Sequence, residues 1–154
     1  MPVMDLCSQS LVCIEKTGSL SEASKLMKKY HVGGVIVVDS LDTKLPVGIL
    51  TDRDIALSVA SETFSSKSRV DELMSKNLIT ANADQGIASI VDKMEYEGVR
   101  RLVILDKAGR ALGLVSSDDV LQLVAREMHG LGKLVQRQIQ NEKIHGSYGQ
   151  LLMT

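Results

Sequence analysis

The chain has 154 residues, 44% of them hydrophobic, and eighteen basic side chains against nineteen acidic ones give a formal charge of -1. That length supports one sizeable core or two small ones, and the near-neutral balance leaves no electrostatic footprint for a nucleic acid. Three Tyr, one Phe and no Trp supply no stacking platform for single strands.

The opening segment MPVMDLCSQS has no basic run leading into an apolar stretch, and VIVV at 35–38 is far too short to cross a bilayer. A cytoplasmic protein is the expectation, with no membrane partner. Cys7 and Cys13 are the only cysteines and form no CxxC pair, so reduced thiols in small apolar roles are expected.

In chain order, the apolar segment 11–14 leads into a helix whose Leu20, Ala23, Leu26 and Met27 share one face. Two aliphatic strands follow, at 34–38 and 47–50, joined by the turn SLDTKLP. GILTDRD, 48–54, then runs the second strand into a helix starting at Thr51. Thr51 and Asp54 have capping-box spacing: the hydroxyl takes a free backbone N–H and the acid faces the positive end of the helix. The segment SETFSSKSRV, 61–70, is polar and reads as a loop between halves.

The same order then recurs. A short segment at 78–81 precedes a helix with Ile87, Ile90, Val91 and Met94 on one face, then strands at 101–105 and 111–115 and a helix from Ser116. Beyond it, EMHGLGKLVQRQIQNEKIHG extends the last helix, pauses at Gly130 and Gly132, and resumes with Leu131, Leu134, Val135, Gln138 and Ile139 on one stripe. Such a stripe needs a surface to cover, in its own subunit or a second chain. SYGQLLMT reads as a frayed end.

The recurrence is a repeat. LVCIEKTGSLSEASKLMKKYHVGGVIVVD, 11–39, aligns with LITANADQGIASIVDKMEYEGVRRLVILD, 78–106, at an offset of 67, and GILTDRDIALSVA aligns with GLVSSDDVLQLVA at 65. The slip falls in the hairpin turn. Continuous Val, Ile and Leu implies strands covered on both faces, and a repeat of this size buries too little surface alone, so the halves should pack about a pseudo-twofold axis. The expected fold is α+β with α/β-like layers: two β-α-β-β-α repeats at 1–62 and, after the linker, 63–129, then an amphipathic helix and tail at 130–154.

VGGVIVVD with VGILTDRDI, and VRRLVILD with LGLVSSDDV, resemble a tandem pair of CBS domains, the module named for cystathionine beta-synthase. The resemblance covers about residues 5–125. It implies a regulatory, non-catalytic module that binds an adenosine-bearing ligand, AMP, ADP, ATP or S-adenosylmethionine, between the repeats, that associates as a homodimer and that modulates an unknown downstream protein. It also implies crossed clefts. One would join Thr51, Arg53 and Asp54 to Leu78, Ile79 and Thr80 and to Val99, Arg100 and Arg101. The second would join Ser116 and Asp119 to Val12, Cys13, Val32, Gly33, Gly34 and Val35.

In the first cleft, Asp54 is free to accept from ribose hydroxyls rather than cap, and Arg53, Arg100 and Arg101 can gather around phosphate with forks suited to it. In the second, Asp118 stands where Arg53 stood and a double glycine replaces the double arginine, so a phosphate meets repulsion. His31, His129 and His145 have no partner at metal-ligand spacing, and no nucleophile with a base, P-loop or dinucleotide fingerprint stands out, so neither a metal nor catalysis is expected. The competing expectation is a constitutive dimerisation scaffold whose Thr-x-x-Asp motifs only cap helices.

Overall fold

The computed structural model describes residues 3, 6, 7 and 11–151, with side chains through Ile144. The chain divides into two compact units, Met1–Ser117 and Asp118–Thr154.

The first unit carries both repeats. β1 (Cys13–Glu15), α1 (Leu20–Tyr30), β2 (Gly34–Val38), β3 (Pro46–Thr51) and α2 (Asp52–Ser58) form one copy, followed by the short α3 (Val70–Leu73). β4 (Thr80–Asn82), α4 (Ile87–Glu97), β5 (Arg101–Leu105) and β6 (Ala111–Ser116) repeat the order, and α5 (Ser117–Leu151) follows. Each copy is a three-stranded sheet in which the first strand runs parallel to the second and the third antiparallel to it. The expected α+β architecture is present, and the first strands sit two residues later than the apolar segments 11–14 and 78–81 begin.

All five residues of β2 are buried. Because side chains alternate across a strand, Val35 and Val37 point one way and Ile36 and Val38 the other. The first pair joins Ile14, Leu20, Ala23, Met27, Leu50 and Val70 in a core under the helices. The second pair joins Val103 and Ala111 in a core shared by the two repeats, flanked by Cys13, Ile49, Leu78, Leu105 and Leu114. One backbone bond also crosses between repeats, from Ala111 N–H to Lys44 C=O at 2.9 Å.

The segment 61–70 does not merely loop between halves; it is stitched to the first repeat. The N–H groups of Leu20 and Ser21, orphaned at the start of α1, donate to Ser68 and Ser66 carbonyls. The N–H of Val70 donates to Gly18 C=O at 2.8 Å, and Ser75 bridges Ile49. Its polar side chains remain accessible while its carbonyls serve the helix.

The arrangement is reciprocal. Val3, the counterpart of Val70 at the offset of 67, donates to Gln85 C=O, the counterpart of Gly18. Both valines are fully buried. Each repeat is therefore completed by the segment that precedes the other.

The helix ends show how one architecture tolerates different sequences. Ser19 and Glu22 form a capping box at α1, whereas its counterpart Gly86 makes no side-chain cap at α4. His31 closes α1 at φ 53° and Gly98 closes α4 at φ 64°, both left-handed. His31 is thus an exposed C-cap. Against expectation, α5 does not pause at Gly130 and Gly132 but is one continuous 35-residue helix. Two glycines cost about 1 kcal/mol each, and the Leu, Lys, Gln and Arg around them sustain the helix. The frayed end expected for SYGQLLMT concerns side chains outside those described, as do residues 152–154.

The reciprocal docking predicts unequal tolerance of two equivalent glycines. A Cβ on Gly48 would meet Met74 Cγ at 2.8 Å and the Ser75 carbonyl oxygen at 2.9 Å, whereas on Gly113 it would meet Cys7 at 3.3 Å. Gly48→Ala should lower stability by about 1–3 kcal/mol and Gly113→Ala by clearly less, read from urea unfolding. A second expectation concerns acid. Hydrogen bonds from the Ser19 backbone and hydroxyl hold Glu22 below its usual range, and the Arg110 backbone N–H, then its side chain, does the same for Asp106. Their stabilisation is complete above the ordinary carboxylate pKa and is lost as pH falls through the lowered folded values. Glu22→Gln and Asp106→Asn should therefore flatten the acid limb of a thermal-melting profile.

Candidate functional site

Thr51 ends β3 and caps α2. Its Oγ1 accepts from Asp54 N–H at 3.2 Å, while Asp54 Oδ2 accepts from Thr51 N–H at 2.9 Å and from Thr51 Oγ1 at 2.7 Å. Asp54 therefore caps, as the capping-box spacing predicts. The reason is geometric: at the third helical position a short carboxylate reaches back to the cap residue. Only Oδ2 is used, and Oδ1 has no partner among the described residues. Capping and reception of an outside hydroxyl are therefore compatible.

The ladder brings the double glycine to this same corner. Gly34 pairs with Thr51, and Asp52 N–H donates to Gly33 C=O at 3.1 Å. A Cβ on Gly33 would lie 3.4 Å from Arg101 Nη2 and 3.5 Å from Asp52 Oδ2. Arg101 of the second repeat thus reaches the start of α2 in the first, and Gly33 leaves room for it. Among the described residues the Arg53 and Arg101 guanidinium groups make no hydrogen bond or ion pair. Arg53 is exposed and Arg101 half-buried. Asp52 Oδ1 accepts from Arg53 N–H, so an acid also stands at the corner. With only seven residues, α2 contributes a weak dipole, and its first turn carries Asp52 and Asp54 beside Arg53.

Arg100 is exposed, and its Nε makes a long 3.5 Å contact with Ser117 Oγ. Ser116 pairs with Arg101 in the ladder, so each double residue stands opposite the hydroxyl of its own repeat. Asp119 lies on α5, in the second unit. Val12 and Val32 pack on the helix-side core, to which fully buried Val35 belongs. Val99 is half-buried, and its N–H donates to Met94 C=O. Cys13 packs on the core shared by the repeats, and burial raises its thiol pKa, partly offset by the positive charge of Lys44. Leu78 packs on that same core, and Ile79 C=O accepts from Val103 N–H.

Thr80 reveals a residue that periodicity passed over. Its carbonyl accepts from Lys93 Nζ at 2.6 Å in a partly buried bond. Lys93 interrupts the apolar face of α4 where α1 has Leu26, and that break is the signal in the sequence. On the first repeat a groove of about 580 Å³ opens beside β1, lined by Ile14, Glu15, Lys25, Leu26 and Leu41. It does not include Thr51 or Asp54. Among the described residues no His, Cys, Asp or Glu cluster could hold a metal ion, and no helix is long and apolar enough to cross a membrane.

This pairing of copies has counterparts among known proteins. The CBS domain pair of protein MJ0100, in complex with 5'-methylthioadenosine and S-adenosyl-L-methionine, superposes with a TM-score of 0.72 at 28% identity, covering 82% of this chain and 98% of that one. CBS domain-containing protein YhcV of Bacillus subtilis is 30% identical over 118 residues, 77% of this chain and 81% of YhcV. A homoserine O-acetyltransferase of Methanohalobium evestigatum is 32% identical over 122 residues, but the chain spans only 24% of its length. The family model of the CBS domain matches twice, at residues 3–61 and 70–126. Both matches start at the reciprocal valines, Val3 and Val70, and with them the chain belongs to the CBS domain family as a tandem pair.

Proposed function

We propose that the chain is a regulatory sensor of an adenosine-containing ligand, bound where Thr51, Asp54, Gly33 and Arg101 meet, and that it acts as a homodimer on a downstream protein without catalysing a reaction. The observation that carries this reading is the Arg101 guanidinium: it makes no hydrogen bond or ion pair among the described residues and lies beside a glycine of the other repeat, at the start of α2. An incoming nucleotide would set its ribose hydroxyls on Asp54 Oδ1 and its phosphate on Arg101 and Arg53, bridging the repeats. Leu78, Ile79, Thr80, Val99 and Arg100 form the second-repeat side of this cleft in the proposal. Burying about 100 Å² of base against aliphatic strands would add roughly 2.5 kcal/mol.

Ser116, Val12, Cys13 and Val35 are proposed to line a second, less basic cleft, suited to an uncharged nucleoside. The ligands of the MJ0100 pair support the adenosine class, though neither carries a phosphate. The enzymes among the relatives are several times longer than the matched segment and lend it no activity.

A scaffold without ligand is the second reading, favoured by the capping bonds of Asp54. Thermal melts with AMP, ADP, ATP, S-adenosylmethionine, 5'-methylthioadenosine and NAD separate the two. A sensor gains stability with at least one, by about 2.7 kcal/mol at 100 times its dissociation constant, and a scaffold gains with none. Titration with AMP should then show Arg101→Gln and Asp54→Ala each weakening binding roughly tenfold or more, as loss of one charge-assisted bond implies. Asp119→Ala should leave AMP affinity nearly unchanged, and equal losses from Asp54→Ala and Asp119→Ala would defeat the asymmetry. Thr51→Ala should also cost about 1 kcal/mol without ligand, because the cap is structural in either case.

A further inference from the structure

The two copies differ at the open edge of their first strands. β1 is the edge of its sheet, and its ladder to β2 uses alternate residues: Val12 C=O accepts from Ile36 N–H at 3.1 Å, and Lys16 N–H donates to Val38 C=O at 2.9 Å. The Cys13 carbonyl and the Glu15 N–H therefore point away from the sheet. In the second copy the equivalent groups belong to Thr80 and Asn82, and side chains of that copy close both. Lys93 Nζ donates to the Thr80 carbonyl at 2.6 Å, and Gln85 Oε1 accepts from Asn82 N–H at 2.9 Å. Such plugs keep an edge from pairing with a foreign strand.

The first copy has neither plug. Leu26 stands where the second has Lys93, and Gly18 where it has Gln85. A Cβ on Gly18 would meet Ile14 Cδ1 at 2.7 Å, so no side chain closes the edge from there. Among the described residues the Cys13 carbonyl and the Glu15 N–H have no hydrogen-bond partner. The groove of about 580 Å³ opens against this edge, with Ile14, Leu26 and Leu41 as apolar walls. Its acids are already bonded within the chain: Glu15 Oε1 accepts from Leu41 N–H at 2.9 Å, and Glu22 Oε2 from Ser19 N–H at 2.7 Å. Lys25 and Lys29 line it as exposed cations and make no hydrogen bond or ion pair among the described residues.

We propose that this edge takes an extended segment of a partner protein, added parallel to β1. The second copy shows the chemistry that the two groups accept, an N–H donor on the carbonyl and an amide oxygen on the N–H. One residue of a parallel strand supplies both. The Lys93 contact sets position 26 of the helix level with Cys13, and α1 runs back from the far end of β1, so Lys25 and Lys29 lie toward the start of the strand. The segment is therefore apolar where it passes Leu26 and Leu41 and acidic at its N-terminal end. This gives the downstream protein a place to dock and does not depend on the nucleotide, since the groove includes neither Thr51 nor Asp54.

The test uses the full chain and a fluorescein-labelled, capped peptide, Glu-Glu-Val-Thr-Val-Thr-Val, followed by anisotropy. Saturable binding in the micromolar to millimolar range is expected, and none at millimolar peptide would overturn the proposal. Two analogues carry N-methyl groups on alternate residues, in opposite phase. One should lose binding and the other keep it, because only every second N–H of an added strand faces β1. Equal affinities for the two would overturn strand addition. Leu26→Lys should rebuild the plug on the Cys13 carbonyl and weaken binding roughly tenfold or more, while Leu26→Met keeps it. Lys25→Glu with Lys29→Glu, both at exposed positions, leaves the fold intact and should weaken binding roughly tenfold. Unchanged affinity in either variant would place the peptide elsewhere and overturn the proposal.

Discussion

The first unit depends on a strand that has no solvent face. Gly34–Val38 sends alternate side chains into two cores, one beneath its own helices and one shared with the other repeat. A five-residue strand buried on both faces must be apolar throughout, as GVIVV nearly is, and it commits each copy to a partner sheet. Neither repeat has enough surface to be comfortable alone. The exchange of preceding segments strengthens this commitment, because the N–H of Val70 is satisfied in the first repeat and that of Val3 in the second.

That mutual dependence explains where the candidate cleft lies. Pairing the sheets brings the start of one repeat's second strand near the end of the other repeat's third. Gly33 and Arg101, at equivalent places in their own copies apart from one residue, consequently become neighbours. One is as small as a residue can be and the other long and cationic, so the corner keeps room and charge together. Asp54 shows that the local demand of a helix start and the reception of a ligand need not compete, since one carboxylate oxygen serves each.

Much of this was legible in the sequence. The offset of 67 between copies fixes α1 against α4 and β2 against β5, and their observed bounds keep that offset. Hydrophobic period identified the core faces because burial is what imposes the period. The strand starts were less legible, since Leu11 and Leu78 are apolar for packing between repeats rather than for strand pairing. The role of SETFSSKSRV was not legible at all. Its contribution is through backbone carbonyls, which side-chain identity does not report. Lys93 was visible only as an interruption, and its partner, a carbonyl on a neighbouring strand, leaves no mark on composition. The glycines of α5 suggested a pause, but propensity is a weak term beside the strong helix formers around them.

By itself, then, the sequence determined the repeat, the order of its elements, the capping spacing of Thr51 and Asp54, and the contrast between Arg53 and Asp118. These are local properties, set by period, spacing and charge within short windows. Only the tertiary structure decided that Arg101 stands beside Gly33, that Asp54 spends one oxygen on its own helix, and that each repeat is completed by the segment preceding the other. Those facts depend on how two sheets pack and where long side chains then reach, and no window of one strand or helix contains that information.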